Sequence, residues 1–221
     1  MLTAVPDFVP PSTWVQVLGR VAVHRDGESQ RLTGSGQRLL AVMVAAGPDG
    51  ATAERIAEEI WGDQQPNPWR PALRMAVARL RKQLPPGWDV VADGGFYRIT
   101  TSSGWVDAWR LETTASARTM IVEDDLAWML AGRPFGDIDL LEMVGASTQS
   151  LQMLQITVAE RFCSQQPSAV STATCAALSA LVRDHPYNDR LALVIAETLS
   201  AAGRRTEALL ALSDFSDAYV S

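Results

Sequence analysis

Cysteine and histidine are almost missing from this 221-residue sequence, which holds two of each. Cys163 and Cys175 stand in no metal-ligand or redox spacing, so both are expected as small buried hydrophobes in a reducing cytoplasm. His24 has no second His, Cys or carboxylate cluster near it in sequence and is expected as a surface strand residue without chemistry. No apolar run is long enough to span a bilayer, and MLTAVPDFVPPSTW lacks the basic segment and apolar core of a secretory signal, so neither a membrane nor an export role is expected. Nucleotide and hydrolase signatures are equally absent: there is no Walker loop, no G-x-S-x-G elbow and no HExxH. The carboxylate pairs Glu58-Glu59 and Asp124-Asp125 fall in exposed-looking helical positions beside no base or metal ligand, and Asp137 and Asp139 alternate without a third oxygen-rich position. The sequence therefore predicts no enzyme and no cofactor.

What is present is a soluble globular composition, 47% apolar and 20% charged, at a length that suits two small domains. The formal charge of −6, from 19 Lys and Arg against 25 Asp and Glu, is unevenly spread. Up to Gly104 there are eleven cations and ten anions, a net +1; the remainder holds eight and fifteen, a net −7. The acidity belongs to the second half, and the cations of the first cluster after Arg70, where they can act locally on phosphate. The composition change at TSSG sets the expected domains at 13–102 and 105–221.

After a Pro-rich lead from Pro6 to Pro11, the runs WVQVLG, RVAVHR and ESQRL read as strands, the last two joined by the hairpin signal Asp26-Gly27. QRLLAVMVAA is apolar nearly all round, as expected of a central helix, and Gly47-Pro48-Asp49-Gly50 stops it. TAERIAEEIWG follows as a short helix with Thr52 as cap, Ile56, Ile60 and Trp61 facing in, and Glu54, Glu58 and Glu59 solvated. Next comes NPWRPALRMAVARLRKQL, expected as a helix started by Asn67-Pro68, with Pro71 tolerated in the first turn. At about 100° per residue, Leu73, Ala76, Val77, Leu80 and Leu84 share one side, and Pro71, Arg74, Met75, Ala78, Arg79 and Lys82 share the other. Arg70 and Arg81 flank that outward face. Cations around the small Ala78 suit close approach to a groove, with phosphates and base edges in reach; a solvated face is the plainer alternative. WDVV and FYRIT across ADGG complete the order helix, loop, helix, hairpin, which is that of a winged helix-turn-helix.

Beyond Gly104 the sequence reads as helical throughout. AERFCSQQPSAVSTA and AETLSAAGRRTEALL start 37 residues apart, at Ala159 and Ala196, close to the tetratricopeptide period of roughly 34; a plain helical bundle is the other reading. Trp88, Trp105, Trp109 and Trp128 are expected in packing, with Trp69 placed at the mouth of the basic helix. Met143 and Met153 are expected as core fillers. The predicted fold is α+β then all-α: a winged helix-turn-helix with an N-terminal antiparallel sheet, followed by a tetratricopeptide-like helical domain.

GQRLLAVMVAAG, ERIAEEIWGD, RPALRMAVARLRKQL and GFYRI, together with VDAWRLE, RDHPYNDRL and AAGRRTEALLAL in the second half, resemble the SARP-type antibiotic regulatory proteins from Trp14 onward. These are bacterial transcription activators that join an OmpR-like winged helix to a tetratricopeptide-like bacterial transcriptional activation domain (BTAD). The resemblance implies a sequence-specific DNA-binding regulator that sits on promoter direct repeats in double-stranded DNA, usually as two copies, and recruits RNA polymerase; a homodimer stays an open option. It implies Arg74, Arg79 and Lys82 in the major groove, Arg70 and Arg81 on flanking phosphates, Arg98 acting from the wing, and the loop from Asp63 to Asn67 against polymerase. The sequence departs from the family at Gly36, where an Arg is usual, and at the wing tip Asp93-Gly94-Gly95, where a carboxylate repels phosphate. Those departures favour the alternative, a non-catalytic protein-binding adaptor built on a degenerate winged helix and a tetratricopeptide-like domain.

Overall fold

Valine alternation at the start of the chain does produce strands. The computed structural model describes residues 12–32, 35–102, 104–117, 119–136, 138 and 142–220, with side chains to 213; the Pro-rich lead and the aspartates 137 and 139 lie outside the described residues. β1 (Thr13–Gln16), β2 (Ala22–Arg25) and β3 (Glu28–Gln30) pair antiparallel in sequence order, with Val15 opposite Val23. Asp26 and Gly27 both take positive φ, 50° and 83°, the twist that a two-residue hairpin turn needs. Leu39 to Met43 of α1 (Gly36–Ala45) are wholly buried, as an all-apolar helix requires. After β4 (Ala51–Thr52) comes α2 (Ala53–Trp61), whose first turn is capped by Thr52 Oγ1 accepting from the Arg55 N–H at 3.2 Å. A 3-10 turn at Gly62–Gln64 leads to α3 (Trp69–Gln83), then to β5 (Trp88–Asp93) and β6 (Phe96–Thr101).

β7 (Trp105–Val106) is a two-residue strand, and it joins the first sheet beside β1 in parallel, giving the order β3-β2-β1-β7. The N-terminal sheet is thus antiparallel except at that edge. Where β7 stops, a side chain takes over the ladder. The carboxylate of Asp107, 1% exposed, accepts from the backbone N–H groups of Val17 at 2.9 and 3.0 Å, Leu18 at 2.9 Å and Ala108 at 2.7 Å. The aromatic rings of Trp14, His24 and Trp105 line up across the three neighbouring strands. Trp14 stacks on His24 at 3.9 Å and on Trp105 at 5.2 Å, with interplanar angles of 10° and 16°. His24 therefore has a packing partner, and its Nε2 lies 2.8 Å from Gln16 Oε1.

From here the chain is helical: α4 (Asp107–Ser116), α5 (Glu123–Met129), α6 (Glu142–Ser164), α7 (Thr172–Asp184), α8 (Asp189–Ala201) and α9 (Arg205–Val220). Two compact units result. Among the described residues, one comprises 12–110 with 134–151, the other 111–133 with 152–220. The sequence places a boundary near Gly104, but residues 105–110 and 134–151 group with the winged-helix portion. Val17 explains much of this, because its carbonyl accepts from the Phe135 N–H at 2.6 Å while its own N–H is held by Asp107. Phe135 is 1% exposed.

In the helical unit, one buried and one half-buried side-chain amide close the helix ends. Gln155 Nε2 donates to the carbonyls of Met129 at 2.8 Å and Gly132 at 3.1 Å, and Gln165 exchanges two bonds with the backbone of Ile121, at 2.6 and 2.9 Å. Ser171 and Asn188 cap α7 and α8 through the N–H groups of Thr174 and Leu191.

Four sequence expectations need correction. Glu59 is not solvated: it is 2% exposed, accepts from the Met143 N–H at 2.8 Å and lies 3.5 Å from Arg55. Asp125 is buried rather than exposed, and Met153 is 61% exposed rather than core. The basic helix begins at Trp69 with Pro68 at its N-cap and no side-chain cap, so Asn67 does not serve there.

Candidate nucleic-acid interface

The period of α3 decides what it shows to its surroundings. Leu73, Ala76, Val77 and Leu80 are 1, 6, 2 and 0% exposed, and burial of a Leu or Val side chain is worth about 1.5–3 kcal/mol each. That stripe packs on α1, with α2 and β5 to the sides, and so fixes which side chains face away. Arg74, Met75, Arg79 and Lys82 are exposed and Ala78 is half-buried. Pro71, the third helical residue, lacks only an N–H that the first turn would leave unpaired. Pro85 and Pro86 follow the helix, and its last turn carries Arg81 and Lys82, where cations favour the helix dipole.

The cations fall into two groups. Arg70 sits over the Trp69 ring at 4.9 Å and pairs with Glu54 at 2.5 Å. Arg81 donates to the carbonyl of Val90, at 3.0 Å from Nε, and pairs with Asp89 at 2.9 Å, so it fastens the end of α3 to β5. Both are partly exposed, yet both already hold an anion. Arg74, Arg79, Lys82 and Arg98 are exposed, and among the described residues no ion pair or hydrogen bond engages their side chains; Gln83 Nε2 donates to the Arg79 backbone carbonyl at 3.3 Å. Glu54 and Asp89 went unnoticed at the sequence level as partners. The first lies 16 residues from Arg70, and no local period connects them.

The hairpin beside α3 is ordered by its turn and by β4. Sheet order is β4-β6-β5, with Val91 opposite Arg98 and Asp93 opposite Phe96. Gly94 and Gly95 take φ of 56° and 87°, the two positive values a tight hairpin turn requires. Arg98 is exposed two residues from Phe96, whose ring is 51% exposed near the tip, an apolar feature that the sequence reading passed over. Gly36, the position that departs from the family, is buried at the start of α1, where an added Cβ would meet Gln83 Nε2 at 3.1 Å.

Between α2 and the start of α3 lies a concavity of about 600 Å³, lined by Glu54, Glu58, Gly62, Asp63, Gln65 and Trp69. Its wall includes the loop that the family resemblance assigns to polymerase. Among the described residues there is no group of three or more His, Cys, Asp or Glu placed to hold a metal ion, and no helix is long and apolar enough to cross a membrane.

The architecture is that of a winged helix-turn-helix followed by a helical unit. No family model matches the chain. Its sequence is 30% identical over 216 residues to the regulatory protein AfsR of Streptomyces coelicolor, an alignment that takes in 90% of this chain and 21% of AfsR. The chain thus spans about a fifth of the length of that relative. Its fold is similar to that of Mycobacterium tuberculosis EmbR, solved in complex with a low-affinity phosphopeptide, with a TM-score of 0.57 and 20% identity. That likeness covers 91% of this chain and 58% of EmbR, and at such identity it bears on the fold alone. The likeness to AfsR agrees with the resemblance that the sequence motifs carry, and the likeness to EmbR agrees with the two-part fold, a winged helix-turn-helix followed by a helical unit.

Proposed function

We propose that the chain is a sequence-specific DNA-binding transcription regulator that sets α3 in the major groove of promoter repeats and activates through RNA polymerase. The observation that carries this reading is the outward face of α3, where Arg74, Arg79 and Lys82 stand exposed and unengaged around Ala78. Cations of this kind exchange bound counterions for phosphate contacts, which gives binding a steep dependence on salt. Arg98 adds a contact from the wing. Arg70 and Arg81 reach flanking phosphates by sharing or exchanging Glu54 and Asp89, so each contributes less than an unpaired arginine. The acidic concavity beside residues 63–67 is where the polymerase contact falls, and it suits a basic surface.

A titration of the purified chain against promoter and random duplexes at two salt concentrations tests the reading. Binding should weaken steeply with salt, and Arg74→Ala/Arg79→Ala/Lys82→Ala should flatten the slope of log K against log salt by about 2 to 3 units. Binding indifferent to that triple change would overturn it. Two observations favour a second reading, a protein-binding adaptor: Asp93 stands at the tip of the wing, and Glu54 and Asp89 hold two of the expected phosphate-binding arginines. A chain that ignores DNA at low salt yet retains a partner protein would decide for it.

A further inference from the structure

The outward pole of α3 is apolar at its middle. Taking the buried Leu73, Ala76, Val77 and Leu80 as the inward direction, the opposite pole at ~100° per residue passes close to Pro71 in the first turn and Lys82 in the last. In the middle two turns the residues nearest the pole are Met75 and Ala78, each roughly 30° from it, while Arg74 and Arg79 stand roughly 70° away on either side. Met75 is 56% exposed, among the largest exposed apolar side chains in the protein. Cations therefore flank the centre of this face and do not occupy it.

A helix lying in a major groove turns its pole toward the base edges and its flanks toward the two phosphate walls. Base edges on that floor are polar with one exception, the 5-methyl group of thymine. An unbranched, flexible thioether at the pole, beside a methyl-sized Ala78 that lets the helix come close, matches that exception and offers nothing to a guanine or cytosine edge. We propose that Met75 is a specificity-determining residue, packing on the 5-methyl groups of thymines at the centre of the bound site. This rests on the DNA-binding reading above and deepens it. Arg74 and Arg79 supply the flanking polar contacts, so charge holds the helix in place and Met75 discriminates.

The test uses the full chain and a random-sequence duplex library. Duplexes enriched by the chain are remade with each thymine replaced singly by uracil, which removes one methyl group and no hydrogen-bonding atom. The chain should lose roughly fourfold in affinity at one or two central thymines, the value of one buried methyl-sized group. Met75→Ala should bind thymine and uracil duplexes alike, keep the same salt slope because no charge is lost, and unfold at the same temperature because the side chain is exposed. Equal binding of thymine and uracil duplexes by the unaltered chain at every position, with salt dependence intact, would overturn the role of Met75 and leave the DNA-binding reading standing. So would a Met75→Ala chain that keeps the thymine preference. If no duplex is enriched and none binds at low salt, the DNA-binding reading itself fails, and the inference with it.

Discussion

Asp107 places a carboxylate where water does not reach. Burial pushes its pKa up to about 7, against the opposing pull of the N–H groups of Leu18, Val17 and Ala108. In the unfolded chain the group titrates near 3.8. Between those values the folded state holds a proton that the unfolded state has lost, so folding stability falls as pH rises through that window and levels off above about 7. Asp107→Asn removes the titration and leaves a backbone donor unsatisfied, so it should be less stable than the parent, with a gap that narrows as pH goes from about 5 to 8; urea midpoints measured across that range check this. Gly50 is constrained for a different reason. Its φ is +76° and an added Cβ would stand 2.2 Å from the carbonyl oxygen of Tyr97. Gly50→Ala should therefore cost at least about 1–3 kcal/mol, read as a lower urea midpoint. Neither residue is conspicuous in the sequence. Gly50 is legible only as part of a turn, and Asp107 as one carboxylate among many, because both are defined by backbone groups remote in the chain.

At the scale of elements, local signals proved reliable where a period or a turn defines the outcome. The buried stripe of α3, the Thr52 cap and the Asp26-Gly27 turn all follow from residues within a few positions of one another. Glu59 shows the limit. Its neighbours suggest a wet acidic face, but Met143, 84 residues on, brings an unpaired helix-start N–H to its Oε1. Glu59→Ala should leave that half-buried donor without its partner and cost about 1–3 kcal/mol, whereas Glu58→Ala, at an exposed position, should change thermal stability little. For α3 itself the periodicity identifies which cations face outward. It does not reveal that Arg70 and Arg81 have carboxylate partners, since Glu54 and Asp89 come from other elements. Among single changes, Arg79→Ala should reduce the salt slope by about one unit, and Arg81→Ala should in addition lower the unfolding temperature through the lost tie to β5. Calorimetry alongside the titration separates the two effects.

For the whole molecule, the sequence makes the order of the two kinds of structure plain, α+β then helical, because the hydrophobic period changes from mixed to helical beyond Gly104. Less legible is how the chain shares its residues between compact units. A two-residue strand such as β7 has no period to detect, and the return of 134–151 to the winged-helix unit depends on contacts with Val17, Leu18 and Glu59. It follows that residues 1–104 alone lack β7, the Asp107 carboxylate and the Phe135 ring that complete the first unit. That fragment should unfold at a lower temperature than the full chain and expose apolar surface, as thermal scans with a hydrophobic dye would record. The charge division has a molecular-scale consequence as well. The net −7 carried beyond Gly104 repels a polyanion at long range, and screening that repulsion with moderate salt partly offsets the loss of phosphate attraction.

The row of rings across the first sheet also offers a built-in optical gauge. Two indoles held nearly parallel at 5.2 Å couple their electronic transitions, and an imidazole against one of them drains its emission. Circular dichroism in the indole bands, followed during heating or on mixing with a duplex, would then track the state of that one sheet without any attached dye, and Trp105→Phe would extinguish the signal while leaving its neighbours to pack.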